Sequence, residues 1–144
     1  MKRHHALAPL SREHHTALLL AQVLKKDSPA YPGLPREPQP KAEYARNLFH
    51  TSLEEHFRKE ETMLEKVKTC HEEIRKLSHE IISEHQQLKD SFLSLDTTGD
   101  LVQAMDVLGR DLERHIRKEE RVLFPLIEKH CSEELFKTIE PLLV

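Results

Sequence analysis

"HFRKEE", residues 56–61, returns with a single substitution as "HIRKEE", residues 115–120. In each copy a histidine is followed four residues later by a glutamate, His56 by Glu60 and His115 by Glu119. At 3.6 residues per turn, that spacing places imidazole and carboxylate one turn apart on the same helical face. The residues around each copy decide whether that face is wet or buried. Ala45, Phe49, Leu53, Met63 and Val67 share the face of the first pair, and Ala104, Leu108, Leu112, Val122 and Leu126 share that of the second. Both pairs therefore interrupt apolar seams. A solvated His-Glu pair, worth roughly 0.3 kcal/mol on a helix surface, is the plainer alternative, but it belongs opposite a seam and not within one.

Two further stripes lie outside the repeats. Leu10, His14, Ala17, Ala21 and Leu24 form one, ending before the loop "SPAYPGLPREPQP", residues 28–40. Ile74, Ser78, Ile81, His85, Leu88, Phe92 and Leu95 form the other. The second helix is expected to start at Lys41. Thr69 followed by Glu72 matches a capping box and predicts the start of the third helix. "DTTGD", residues 96–100, reads as a turn, with Asp100 and Gln103 able to cap the fourth helix. Pro125 is expected to kink or shorten the end of that helix. "SEELFKTIEPLLV", from Ser132 onward, reads as a short terminal helix covering one end. The expected fold is all-α: four amphipathic helices, each with a histidine in its seam, and a short C-terminal helix.

The halves repeat each other. "EHHTAL", residues 13–18, corresponds to "EHQQLK", residues 84–89, so the chain reads as a duplicated helical hairpin. His14 and His56 are 42 residues apart and His85 and His115 are 30; the 13-residue Pro-rich loop accounts for the inequality. His15 adjoins His14, but the Leu10, Ala17 and Ala21 stripe favours His14.

Composition removes several function classes. A chain of 144 residues suits one domain, residues 1–144, and 38% hydrophobic and 33% charged residues with three glycines fit a helical globule. No apolar run approaches membrane-spanning length. The N-terminus lacks the continuous apolar segment of a signal peptide, so a cytoplasmic location is expected. A net charge of −3, with basic and acidic residues interleaved, offers no basic surface for nucleic acid. Cys70 and Cys131 are the only cysteines, too sparse for a disulfide scaffold or a thiolate metal motif, and both read as inert.

Eleven histidines are more than a helical core needs. In a duplicated bundle, His14, His56, His85 and His115 meet Glu60 and Glu119 at one level of the core. Two buried carboxylates repel one another, and a cation between them is the simplest compensation. Imidazole with carboxylate suits iron, manganese or zinc, and two ions fit these six donors better than one. His4, His5, His50, His71, His79 and His130 fall off the seams and are expected to be solvated. Glu61 and Glu120, one position past each seam glutamate, read as surface groups or as supports for the donors, with Glu61 as the alternative to Glu60.

His14, His56 with Glu60, His85, and His115 with Glu119 together resemble the hemerythrin-like, or HHE cation-binding, family over essentially the whole chain. The resemblance implies an up-down four-helix bundle around an oxygen-bridged non-haem di-iron centre, for which zinc or manganese could substitute. It also implies a role toward dioxygen or nitric oxide, in sensing, storage or iron-sulfur cluster repair, with no protein partner indicated. Oxygen-carrying members have a fifth histidine one turn from the third-helix ligand, whereas this chain has Ile81 and Lys89 there. The expectation is therefore a binding protein that is not a reversible oxygen carrier. A di-iron redox enzyme and a metal-free helical interaction module are the alternatives.

Overall fold

The computed structural model describes residues 2–97 and 99–144. Thr98, in the expected 96–100 turn, lies outside the described residues. The described chain is helical, with no strand among its described residues. Helix α1 is Ala8–Leu24. Helix α2 is the continuous run 38–67, in which a π-turn, Phe49–Leu53, joins Pro38–Leu48 to Glu54–Val67. Helix α3 is Glu72–Leu93. Helix α4 is the run 101–130, in which the π-turn Glu119–Leu123 joins Leu101–Lys118 to Phe124–His130. Helix α5 is Glu133–Ile139, followed by the 3-10 turn Glu140–Leu142.

Helix ends follow local chemistry. Helix α2 begins three residues earlier than Lys41, at Pro38, because first-turn backbone amides have no partner inside a helix and proline lacks one anyway. Asp100 caps α4 as expected, its Oδ1 accepting from the Gln103 amide at 3.1 Å. Ser132 caps α5 through the Leu135 amide at 3.2 Å. The expected Thr69 cap is wrong. Cys70 N donates to Val67 O at 2.9 Å, which puts Thr69 inside the turn that closes α2. His71 is the extended residue, and its Nδ1 accepts from Glu73 N at 3.1 Å.

Two apolar clusters form the core. One gathers Leu20, Leu24, Phe49, Phe92, Leu108 and Leu112; the other gathers Leu10, Met63, Ile81, Leu123, Phe124 and Phe136. Each of the four long helices passes from one cluster to the other, and each carries its seam histidine at the crossing: His14 between Leu10 and Ala17, His56 between Leu53 and Met63, His85 between Ile81 and Leu88, His115 between Leu112 and Leu123. A polar layer is thereby held between two apolar ones. Helices α1 and α4 approach so closely that a Cβ on Gly109 would lie 2.6 Å from Ala21 O, which leaves hydrogen as the only side chain that fits.

The α4 seam departs from expectation beyond Glu119. Val122 is 45% exposed, while Leu123 and Ile127 are fully buried in its place and that of Leu126. The π-turn supplies the reason, since its extra residue rotates everything downstream by about 100° relative to an uninterrupted α-helix. Pro125 does not shorten α4, which continues to His130. Proline cannot donate the intrahelical hydrogen bond, and the wide turn immediately before it absorbs the irregularity. His4, expected in solvent, instead stacks on Phe136 with ring centroids 3.8 Å apart; His71 and His130 stay partly exposed, His71 capping α3 and His130 stacking on it at 4.0 Å.

Candidate metal centre

All six residues singled out from the sequence converge in the polar layer. His14, His56, His85 and His115 are at most 4% exposed, and Glu60 and Glu119 are fully buried. His15 is exposed, so the α1 stripe selects the right neighbour. The Glu60 carboxylate lies 3.2 Å from His14 Nε2, 3.1 Å from His56 Nε2 and 3.1 Å from His85 Nε2. Glu119 lies 3.2 Å from His14 Nε2, 3.3 Å from His115 Nε2 and 3.9 Å from His85 Nε2. Two overlapping groups result, each with donor atoms within 4.8 Å of one another: His14, His56, Glu60 and Glu119 in one, and Glu60, His85, His115 and Glu119 in the other. Both carboxylates belong to both groups.

The opposite edge of every ring is held by another carboxylate. Glu120 meets His14 Nδ1 at 2.6 Å, Glu13 meets His56 Nδ1 at 2.7 Å, Glu61 meets His85 Nδ1 at 2.8 Å, and Glu84 meets His115 Nδ1 at 2.7 Å. Such contacts fix the Nδ1–H tautomer and turn Nε2 inward, as cation-ligating histidines require. Glu61 and Glu120 thus act as supports, and Glu60, not Glu61, occupies the centre. Glu13 and Glu84 were not singled out, although each precedes a seam histidine in the repeated Glu-His pair. The signal was readable. Its target was not, because each of the two supports a histidine on the following helix and not its own neighbour.

Six carboxylates around four imidazoles make the layer strongly electronegative. Burial disfavours a charged His14, but Glu119, Glu120 and Glu60 outweigh it and push its pKa up to about 12. The same opposition raises His56 to about 9, chiefly through Glu60 and Glu13, and His115 to about 10, chiefly through Glu119 and Glu84. His85 also moves up. For Glu60, burial opposes ionisation, yet His56, His14 and His85 hold it well below the usual carboxylate range. Protons on the imidazoles do not satisfy the site. Among the described residues, His56 Nε2, His115 Nε2 and both oxygens of Glu119 are buried without an aligned hydrogen-bond partner. Groups of this kind are costly in a core. Positive charge at the centre would engage all four atoms, and the nitrogen and oxygen donors suit iron, manganese or zinc.

No curated protein and no solved structure matches the chain. The hemerythrin HHE cation binding domain matches it over residues 62–142, which include His85, His115 and Glu119. With a buried layer of histidine and glutamate compatible with metal binding, the chain belongs to the hemerythrin HHE cation-binding family.

Proposed function

We propose that residues 1–144 form a single up-down four-helix bundle with a short C-terminal helix. In it His14, His56, Glu60, His85, His115 and Glu119 hold two iron ions and share Glu60 and Glu119 between them. The observation that carries this reading is the pair of overlapping donor groups, with their unpartnered nitrogens and oxygens. The residues ahead of the matched range support one domain, since α1 and α2 supply His14, His56 and Glu60 to the same layer. Zinc or manganese would suit the same donors.

Iron bound there would supply redox chemistry toward a diatomic ligand such as dioxygen or nitric oxide. The protein's own residues orient and shield the site. Glu13, Glu61, Glu84 and Glu120 hold the outer ring edges. Phe57 stacks on His85 at 4.1 Å, and Phe124 stacks on His14 at 5.6 Å, keeping water from the imidazole faces. A hollow of about 560 Å³ opens on the His85 side between Phe57, Ile82 and Lys89, which supports entry of a small molecule there. Neither Tyr31 nor Tyr44 lines it.

One turn before His85, Ile81 is fully buried, and Lys89, one turn after, pairs with Glu54 at 3.5 Å. The proposed centre thus has four histidines, which favours sensing, storage or cluster repair over reversible oxygen carriage. Anaerobic loading with ferrous iron should give about two ions per chain. Oxygen should then oxidise the reduced protein without recovery on degassing, nitric oxide should bind it tightly, and I81H should slow the oxidation. Return of the reduced optical spectrum over repeated oxygen cycles would reinstate the carrier role, and a stoichiometry near one would remove the two-ion reading.

A further inference from the structure

Cys70 and Cys131 are 61 residues apart in sequence, yet their sulfurs lie 2.8 Å apart, less than an ångström beyond a covalent S–S bond. Both thiols are free and half-buried. Cys70 stands in the turn after α2, its amide bonded to Val67 O at 2.9 Å; Cys131 closes α4, its amide bonded to Ile127 O at 2.9 Å. Val67 and Ile127 are fully buried, so each cysteine backbone is anchored to the core. The adjoining His71 and His130 stack on one another at 4.0 Å, and His71 is held in turn by the Glu73 amide. The two chain segments are therefore registered against each other on both sides of the sulfur pair. The sulfurs meet despite the separation in sequence on which the expectation of inert cysteines rested.

We infer that Cys70 and Cys131 are a redox modification site, forming a reversible intramolecular disulfide that ties the end of α2 to the end of α4, with a hydroperoxide as oxidant. The geometry gives each sulfur a role. Cys131 donates its S–H to Cys70, and burial together with the neighbouring thiol pushes the Cys131 pKa up, so Cys131 keeps its proton. Cys70, the sulfur toward which that S–H points, is the one placed to meet the oxidant first. Its attack on hydrogen peroxide breaks the O–O bond and forms an S–O bond, giving a sulfenic acid; the departing hydroxide takes up a proton and leaves as water. Cys131 then attacks that sulfur. The S–S bond forms, the S–O bond breaks, and the hydroxyl leaves as a second water with the Cys131 proton. Two thiols lose two electrons in total and one peroxide gains them. A dithiol reductant reverses the change by thiol-disulfide exchange.

The bond would fasten the two helices that carry Glu60 and Glu119 at the end where Phe136 and Ile139 of α5 pack. It would also close a long loop in the unfolded chain, which favours the folded state. This inference does not depend on the identity of any metal. The test treats the full chain, as purified and after chelation, with one equivalent of hydrogen peroxide or with a glutathione redox buffer, then counts alkylatable thiols and measures intact mass. The expected product is monomeric, lighter by two hydrogens, without free thiols, and restored by dithiothreitol. Its melting temperature should exceed that of the reduced form by about 10 °C, and C70S and C131S should each lose that difference. Two thiols still alkylatable after peroxide, a disulfide only between chains, stable sulfinic acid on either cysteine, or zinc released on thiol titration would each overturn it. The wild-type mass and thiol count decide the matter even if a serine variant folds poorly.

Discussion

In α2 the π-turn Phe49–Leu53 comes before His56, whereas in α4 the π-turn Glu119–Leu123 begins on the seam glutamate itself. The two hexapeptides nevertheless give nearly the same local pair, with His56 Nε2 3.1 Å from Glu60 and His115 Nε2 3.3 Å from Glu119. The i,i+4 relation within each copy is set by helix geometry and survives a change of turn type beside it. Beyond the copies the halves part: the α2 seam stays on Met63 and Val67, while the α4 seam moves to Leu123 and Ile127. Lys66 in α2 and Pro125 in α4 lie ten residues past their histidines, and only the proline demands an accommodating turn. The one substitution within the repeat matters as well. Phe57 lies flat on His85 and edge-on to His115, whereas Ile116 is buried in the apolar cluster and has no ring to lay on an imidazole.

The strongest test of equivalence between the halves is metal content. Glu60 and Glu119 each belong to both donor groups, while His56 and His115 belong to one each. E60A and E119A should therefore each lose both ions after anaerobic iron loading, and H56A and H115A should each retain about one, read by elemental analysis against protein concentration. Two ions retained in E119A would show that the halves do not share that carboxylate.

Removing the ions should come next in size. Chelation at neutral pH should lower the melting temperature by roughly 10 °C, the scale expected when a site occupied far above its dissociation constant is emptied. The metal-free protein should then respond to pH in a defined direction. Its imidazoles titrate above their ordinary 6.5, at about 9 for His56, 10 for His115 and 12 for His14. Their stabilising contribution is complete below pH 6.5 and should disappear as pH rises through 9 to 12. Metal binding runs the other way, because the ligands must be neutral: loading should release protons, and acid should release the ions. A melting temperature indifferent to chelation would favour a metal-free interaction module.

The smallest effect sharpens the comparison most finely. F57I and I116F make the repeats identical from either side. Each should cost about 1–3 kcal/mol, the first by loss of the ring on His85 and the second by overpacking. Chemical denaturation measures both, and neutrality of either would mean that the halves are interchangeable at this position.

The helices, their histidine-bearing seams up to Glu119 in α4, and all six central residues were legible because helical period and apolar neighbours are local properties. His14 could be chosen over its neighbour for the same reason: Leu10, Ala17 and Ala21 mark the inward face. The Asp100 cap was legible in four residues of sequence. The His71 cap was not, since it depended on where α2 stopped and on the extended backbone that followed. Nor could the supporting ring be assigned, because Glu13 reaches His56 and Glu84 reaches His115 across helices.

By itself, then, the sequence determined which residues face inward along α1 to α3 and along α4 as far as Glu119, since burial of a periodic apolar stripe dictates those faces and carries the polar residues within them. It also determined that carboxylate and imidazole would meet, as a four-residue step on a helix allows little else. Tertiary packing alone decided the rest. Which glutamate holds which ring, and that Cys70 meets Cys131, both depend on distances between chain segments far apart in sequence, and local periodicity carries no information about those.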